Sequence, residues 1–280
     1  MTNEEILITN ACVITGDGPV YNHGFIHIRD GIIVDVGNKP PVTEQKGTEQ
    51  IKIDAHGRYV LPGFINPHMH LYSALARGMP VGRMKTFGEV LKKLWWKLDE
   101  KLTLDDIYIS ALLGGIDSIK SGTTTLFDHH ASYGAISESL SAVSRGLTET
   151  GVRASLCYEI SDRNGKTKRD EALEESARWI GEAKGPMRHA MVGLHTAMTL
   201  SDETLKLASK LMDELSVSAH VHVAEGVEDV KAVTRLAKHK ILRKGTFAVH
   251  CVHVDSRDIS ILKKTGVTVI HNPHSNLNNA

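Results

Sequence analysis

Residues 5 to about 60 alternate short apolar runs with turn residues. The runs ILITN (6–10) and ACVIT (11–15) are β-type, and Gly16-Asp-Gly-Pro marks a turn. FIHIR (25–29) alternates at period two before the Asp30-Gly31 hairpin signal and the run 32–36. This predicts a small antiparallel, β-sandwich-like domain over residues 1–59, its last element ending near Asp54-Ala-His-Gly. From Val60 the texture changes to short apolar strands separated by longer helical patterns. The strands are expected at 63–67, 123–128, 152–158, 190–195, 218–223, 246–250 and 267–271. Thr199-Leu-Ser-Asp fits a capping box ahead of Leu207, Ala208, Leu211, Met212 and Leu215, and a second helix over 105–120 is closed by Gly122.

Strand–helix alternation of this length implies a parallel sheet with crossover helices. The fold class is therefore α/β: an incomplete TIM (β/α)8 barrel over 60–280, with seven of eight strands, behind the small N-terminal domain. Ser275-Asn-Leu-Asn-Asn-Ala280 is a polar run directly after the seventh strand, with no closing helix expected. The chain thus reads as C-terminally truncated, lacking strand 8 and the C-terminal β segment. Such a piece is expected to expose sheet edges and to be inactive alone.

Charge narrows the partners. The 280 residues carry 33 basic and 33 acidic side chains, so nothing favours nucleic acid or an anionic membrane. Cys12, Cys157 and Cys251 are scattered without a CxxC pair, which argues against a disulfide framework or a cysteine zinc module. The N-terminus lacks a signal-peptide pattern and no apolar run reaches membrane-spanning length, so a cytoplasmic enzyme is expected. Histidine is over-represented, at 16 residues, and its placement matters more than its number.

His68 and His70 are two apart on the first predicted barrel strand, so both imidazoles share a face and can meet one metal ion at the C-terminal strand end. The bland reading is two polar residues in an exposed loop. His220-Val-His222-Val-Ala-Glu225 ends the fifth strand and offers a third nitrogen ligand with a carboxylate three residues on. His250 and His253 end the sixth strand, His271 and His274 the seventh. A single strand-end histidine is usually structural; clusters on four strand ends argue for a site.

In this order and spacing, PGFINPHMH, HVHVAE, VHCVH and HNPHSN resemble the amidohydrolase superfamily, and within it the chlorohydrolase and aminohydrolase branch. The stretches LWWKLD (94–99) and FDHHAS (127–132) are most similar to the SsnA-type aminohydrolases, linked by name to selenium metabolism. The resemblance implies His68, His70 and His222 as ligands of one divalent metal, zinc, with iron(II) fitting the same donors. It implies Glu225 as the proton carrier and His250 as a hydrogen-bonding partner of the attacking water. Metal-activated water would attack an amidine-like carbon of an aminated N-heterocycle (purine-, pyrimidine- or triazine-like) and ammonia would leave. His195 and Asp99 fall where relatives contact substrate, although a solvated helix carboxylate is the competing reading of Asp99. Trp95 and Trp96 are candidate pocket walls or core residues. Asp128, His129 and His130 follow the second strand into the barrel mouth, and Asn272 and Asn276 read as braces of the last turn. Relatives are commonly oligomers, so a homo-oligomer is expected of the full-length protein.

The family completes its site with an aspartate on the eighth strand, and no earlier aspartate here occupies an equivalent place. Two other readings use the same residues. Cyclic-amide hydrolases bridge two metals with a modified lysine on the fourth strand, where this chain has GLHTAM (193–198) and no lysine. Dechlorination needs only a different leaving group. A metal-binding accessory protein without catalysis is the reading from another class. Glu225 and His250 count against it, because a closed structural site needs neither.

Overall fold

The computed structural model describes residues 5–41 and 50–279, which fall into two compact units divided after Gly63. The smaller is one five-stranded mixed sheet. Its centre is β1 (Glu5–Ile14), antiparallel to β2 (Val20–Arg29) and parallel to both β4 (Gln50–Asp54) and β5 (Tyr59–Val60). β3 (Ile32–Gly37) joins β2 through Asp30 and Gly31, whose φ values of 50° and 75° suit a two-residue hairpin turn. The expected antiparallel sandwich is thus a single sheet with parallel pairs. The two runs at 6–15 are one strand, bulged at Asn10 (φ 52°), which keeps Leu7, Ala11 and Val13 buried across the irregularity.

The larger unit is a nearly closed parallel barrel. Its strands are β6 (Phe64–Met69), β7 (Thr123–His130), β8 (Arg153–Ile160), the pair β9 (Arg188–Ala190) and β10 (Val192–Thr196), β11 (Ala219–Val223), β12 (Phe247–His250) and β13 (Thr268–Ile270). β9 and β10 both pair with β8 and share the fourth position, broken at Met191, so seven positions are filled. Among the described residues, β6 and β13 are paired on one side only. Every residue of β10 and β11 is buried, as expected of strands covered on both faces. Phe127 and Phe247 meet with ring centroids 4.8 Å apart, and His220 lies against Phe247. A polar layer of histidines therefore sits over an apolar one. A Cβ on Gly193 would stand 2.2 Å from the Tyr158 carbonyl oxygen, so this strand can approach β8 only through glycine.

Helices follow most strands. α1 (Phe87–Val90), a π-helical turn (Leu91–Trp95) and α2 (Trp96–Asp99) make one interrupted helix after β6. α3 (Leu104–Lys120) starts at a capping box between Thr103 and Asp106, and Gly122 (φ 79°) turns the chain into β7. α4 (Ser139–Thr150), α5 (Gly165–Glu182), α6 (Asp202–Glu214), α7 (Ala232–Lys238) and α8 (Ser256–Thr265) complete the outer layer. Two expectations change. The cap of α6 is Ser201, whose hydroxyl accepts from Thr204 N, because Thr199 is already in a 3-10 turn over Ala197–Thr199. The polar run after β13 is a helix, α9 (Pro273–Asn279), since Pro273 suits a first helical position. No described helix is long and apolar enough to cross a membrane.

One buried carboxylate fixes the barrel mouth. Asp229 accepts from Thr196 Oγ1 at 2.5 Å, Met198 N at 2.9 Å and Ala224 N at 3.0 Å, tying the exit of β10 to that of β11. Asp229→Ala orphans three donors and is expected to lower unfolding free energy by about 2–4 kcal/mol in urea titration. Asp213→Ala, which removes only an exposed pair with Arg243, should cost less than about 1 kcal/mol. Equal costs would contradict this assignment.

Candidate metal centre and its pocket

At the barrel mouth His70 and His222 each spend one ring N–H on a carbonyl and leave the other nitrogen bare. His70 Nδ1 donates to the His129 carbonyl oxygen at 2.6 Å, and His222 Nδ1 to that of His195 at 2.8 Å. Both Nε2 atoms then carry lone pairs, and they face each other at 3.3 Å. Two bare nitrogens at that distance repel unless a cation lies between them. The spacing is about that of two nitrogens on a tetrahedral metal with bonds of about 2.05 Å. His68 joins from β6: its Nδ1 is 2.8 Å from His220 Nε2, while its own Nε2 is buried without a partner among the described residues. The His68 ring centroid is 4.7 Å from that of His70 and 5.0 Å from that of His222. The chemistry of this donor set fits a divalent cation.

Three sets of side chains bring one ligand atom each within 4.8 Å of the others: His68, His222 and His250; His70, His129 and His222; and Glu159, His195 and His222. His222 is in all three. His68 and His70 fall in different sets, so the expected trio is gathered around His222 rather than equally close throughout.

Glu225 follows β11 beyond Ala224, whose φ is 48°. Its Oε2 lies 3.4 Å from His250 Nε2. His250 itself has φ 73° and Cys251 49°, so the chain leaves β12 through two left-handed residues. That conformation costs energy in non-glycine residues and turns the imidazole toward Glu225. His250 Nδ1 donates to Asn276 Oδ1 at 2.8 Å, so α9 orients this ring. His195 Nδ1 is 2.8 Å from Thr199 Oγ1, and Trp96 meets His195 edge-on at 6.5 Å.

Asp99 ends α2 and is 1% exposed, which rules out the solvated-carboxylate reading. Its Oδ2 lies 2.5 Å from Arg163 Nη2. A cavity of about 460 Å³ is lined by His68, His70, His195, His222, Glu225 and His250 and also by Trp95, Trp96, Asp99 and Glu159. Trp95 additionally packs on the core. Glu159 and Arg163 had no motif to announce them, whereas His129 lies where the FDHHAS stretch placed it, at the barrel mouth. Glu159 was visible only as a charged residue in the otherwise apolar run of β8.

Burial sets the protonation states. It pushes His70 down to about 4 and His130, His195 and His220 to about 3, and holds His68, His129 and His222 well below the usual imidazole range. The neutral form of these rings is therefore favoured, which is the form in which a ring nitrogen can ligate a metal. Burial pushes Asp99, Asp128 and Glu159 up to about 7, in Asp99 and Glu159 despite Arg163.

The fold and this centre define a barrel protein with a cation-accepting histidine cluster at its C-terminal strand ends. The chain belongs to the amidohydrolase family, whose model matches residues 59–280. It is 33% identical over 290 residues to a 5-methylthioadenosine/S-adenosylhomocysteine deaminase of Symbiobacterium thermophilum, covering 98% of this chain and 64% of the relative. A 5′-deoxyadenosine deaminase of Methanothermobacter thermautotrophicus is 32% identical, over 99% of this chain and 64% of its own. The chain thus spans about 64% of the length of these curated relatives. The solved structure of an adenosine deaminase from Xanthomonas campestris with bound zinc superposes with a TM-score of 0.83 at 19% identity, over 97% of this chain and 63% of that one.

Asp128 gives a pH test clear of the pocket. It is fully buried and accepts from Leu71 N at 2.7 Å through Oδ1, while Oδ2 receives no hydrogen bond from the described residues and lies 4.0 Å from His130 Nδ1. A carboxyl raised to about 7 on folding contributes stability that is full below its unfolded pKa and is lost as pH rises through about 7. Asp128→Asn keeps the Leu71 bond and removes this loss. In urea titrations between about pH 4 and 7 the variant should gain on wild type by up to about 1.4 kcal/mol per pH unit. A constant difference across that window would show that Asp128 is ionised in the fold.

Proposed function

We propose that this protein is a metal-dependent aminohydrolase that releases ammonia from an aminated N-heterocycle, an aminopurine of the adenosine kind. The observation that carries the reading is the His70–His222 pair, with lone pairs opposed at 3.3 Å and each opposite N–H spent on a carbonyl. His68, His70 and His222 hold one divalent cation, for which zinc is the first choice. Bound there, the cation supplies Lewis acidity that lowers the pKa of water from about 15.7 towards 7. The adenosine-type names of the relatives support the substrate class.

Glu225 is the proton carrier. It stands at the cavity wall against His250 Nε2, where it delivers a proton to a ring nitrogen while water oxygen adds to the amine-bearing carbon. Glu225 takes a proton back from the added water and passes it to the amine, which leaves as ammonia as the C–N bond breaks. The remaining hydroxyl returns its proton to Glu225 and becomes a ring carbonyl. His250, oriented by Asn276, keeps a bare Nε2 to accept from the attacking water. His195 presents Nε2 to the substrate, Asp99 accepts from it, and Trp95 and Trp96 cover its faces and exclude water. The stretches behind the SsnA resemblance, 94–99 and 127–132, supply Trp95, Trp96, Asp99 and His129, which supports that subgroup. A cytoplasmic homo-oligomer completes the proposal and rests on the resemblance alone.

Elemental analysis of the full chain should find about one zinc or iron, lost in His68→Ala/His70→Ala. Glu225→Gln should keep the metal and slow ammonia release from adenosine or 5′-deoxyadenosine by about 10²–10⁴-fold. Metal-loaded protein that releases no ammonia from adenosine, 5′-deoxyadenosine, guanine or cytosine would sink the reading.

A further inference from the structure

The cavity has a second polar wall, and one of its carboxyl groups, Glu159, has no part in the proposed chemistry. Glu159, next to last in β8, is 5% exposed and lines the cavity. Its Oε1 is 3.6 Å from Arg163 Nη2 and its Oε2 3.7 Å from His129 Nδ1. Both distances exceed hydrogen-bond length. His129 Nδ1 has no proton to offer either, because Nε2 is the nitrogen that donates to the Leu194 carbonyl, at 3.1 Å. A carboxyl group nine-tenths buried therefore faces the cavity while neither oxygen receives a hydrogen bond from the described residues. One of its oxygens lies within 4.8 Å of ligand atoms of His195 and His222, within reach of a molecule held at the metal centre.

Asp99 shows the same deficit. Its Oδ2 is taken by Arg163, and Oδ1 is buried with no partner among the described residues. Arg163 is fixed between the rings of Tyr133, 4.1 Å from the guanidinium carbon, and Trp96, at 5.2 Å. One guanidinium nitrogen bonds Asp99 and lies near Glu159 without bonding it. Arg163 Nε and Nη1 and Trp96 Nε1 are also buried without hydrogen-bond partners among the described residues, so the wall holds unsatisfied donors beside its unsatisfied acceptors. Buried acceptors without donors are unfavourable, and a bound ligand that brings N–H or O–H groups relieves them.

We propose that Glu159 is a specificity-determining residue. It accepts hydrogen bonds from donors on the substrate other than the departing amine, beside the Asp99–Arg163 pair. The inference rests on reading the cavity as a heterocyclic-amine site. The donors come from a second ring amino group or from sugar hydroxyls, and matched pairs separate these sources. Adenine and 2,6-diaminopurine differ by one ring amino group; adenosine and 2′,3′-dideoxyadenosine differ by two hydroxyls. Trp95 and Trp96 line the cavity, so binding is readable by intrinsic fluorescence without turnover.

With the metal-loaded full chain, wild type should bind the donor-richer member of at least one pair about tenfold or more tightly. Glu159→Gln should cut that ratio at least about threefold, and Glu159→Met should bring it close to one, both with metal content unchanged. Ratios unmoved by either substitution, or no binding of any of the four compounds, would overturn the proposal. Loss of metal in Glu159→Gln would also overturn it, by making Glu159 a ligand instead. Ammonia release is read separately: a binding ratio that responds to Glu159 without any deamination removes the proposed activity and leaves this inference standing.

Discussion

The site depends on an electrostatic constraint: lone pairs that no proton separates. His70 and His222 come from the first and fifth barrel positions, and each is locked in one tautomer by the carbonyl of a neighbouring strand. The two donors are therefore fixed by backbone, and their register follows from the barrel's own strand spacing. A shift of one residue in either strand would send its imidazole to the opposite face. The parallel register His222↔Val249 and Val223↔His250 carries the same constraint to the sixth position. Binding chemistry and barrel geometry are here one requirement.

Meeting it is expensive for the core. His129, His130, His195, His220 and His222 are all buried, and burial holds each imidazole neutral. Neutral imidazole still needs partners, and each ring finds one oxygen or nitrogen close by. In His129, His195 and His222 one ring nitrogen belongs to the ligand sets at the shared centre. The polar layer is tolerable because the Phe127–Phe247 contact and the aliphatic residues of β10 and β11 seal the barrel beneath it.

Much of this was legible in the chain because period two is hard to disguise. HVH at 220–222 and HMH at 68–70 announce faces of strands, and the apolar runs around them announce a barrel. Side chains that act through long-range contacts were less legible. Asp99 closes α2 next to the charged Lys97 and Glu100, and its partner Arg163 is 64 residues away in the chain. Glu159 and Arg163 are four apart but belong to a strand end and the loop after it, so no helical or strand period links them. Competition between hydroxyls decided the start of α6: Thr199 is drawn to His195, leaving Ser201 to cap. The small unit misled for another reason. Nothing in a β-type run distinguishes a parallel partner from an antiparallel one.

The π-helical turn at Leu91–Trp95 places an extra residue in the helix that carries Trp95, Trp96 and Asp99. Losing one residue there would restore regular winding and swing everything downstream by about 100° around the helix axis. Trp96 and Asp99 would leave the cavity together, while no barrel strand and no histidine need move. A single-codon deletion in this segment is thus a route by which descendants of one gene could exchange one pocket wall for another and keep the same metal centre.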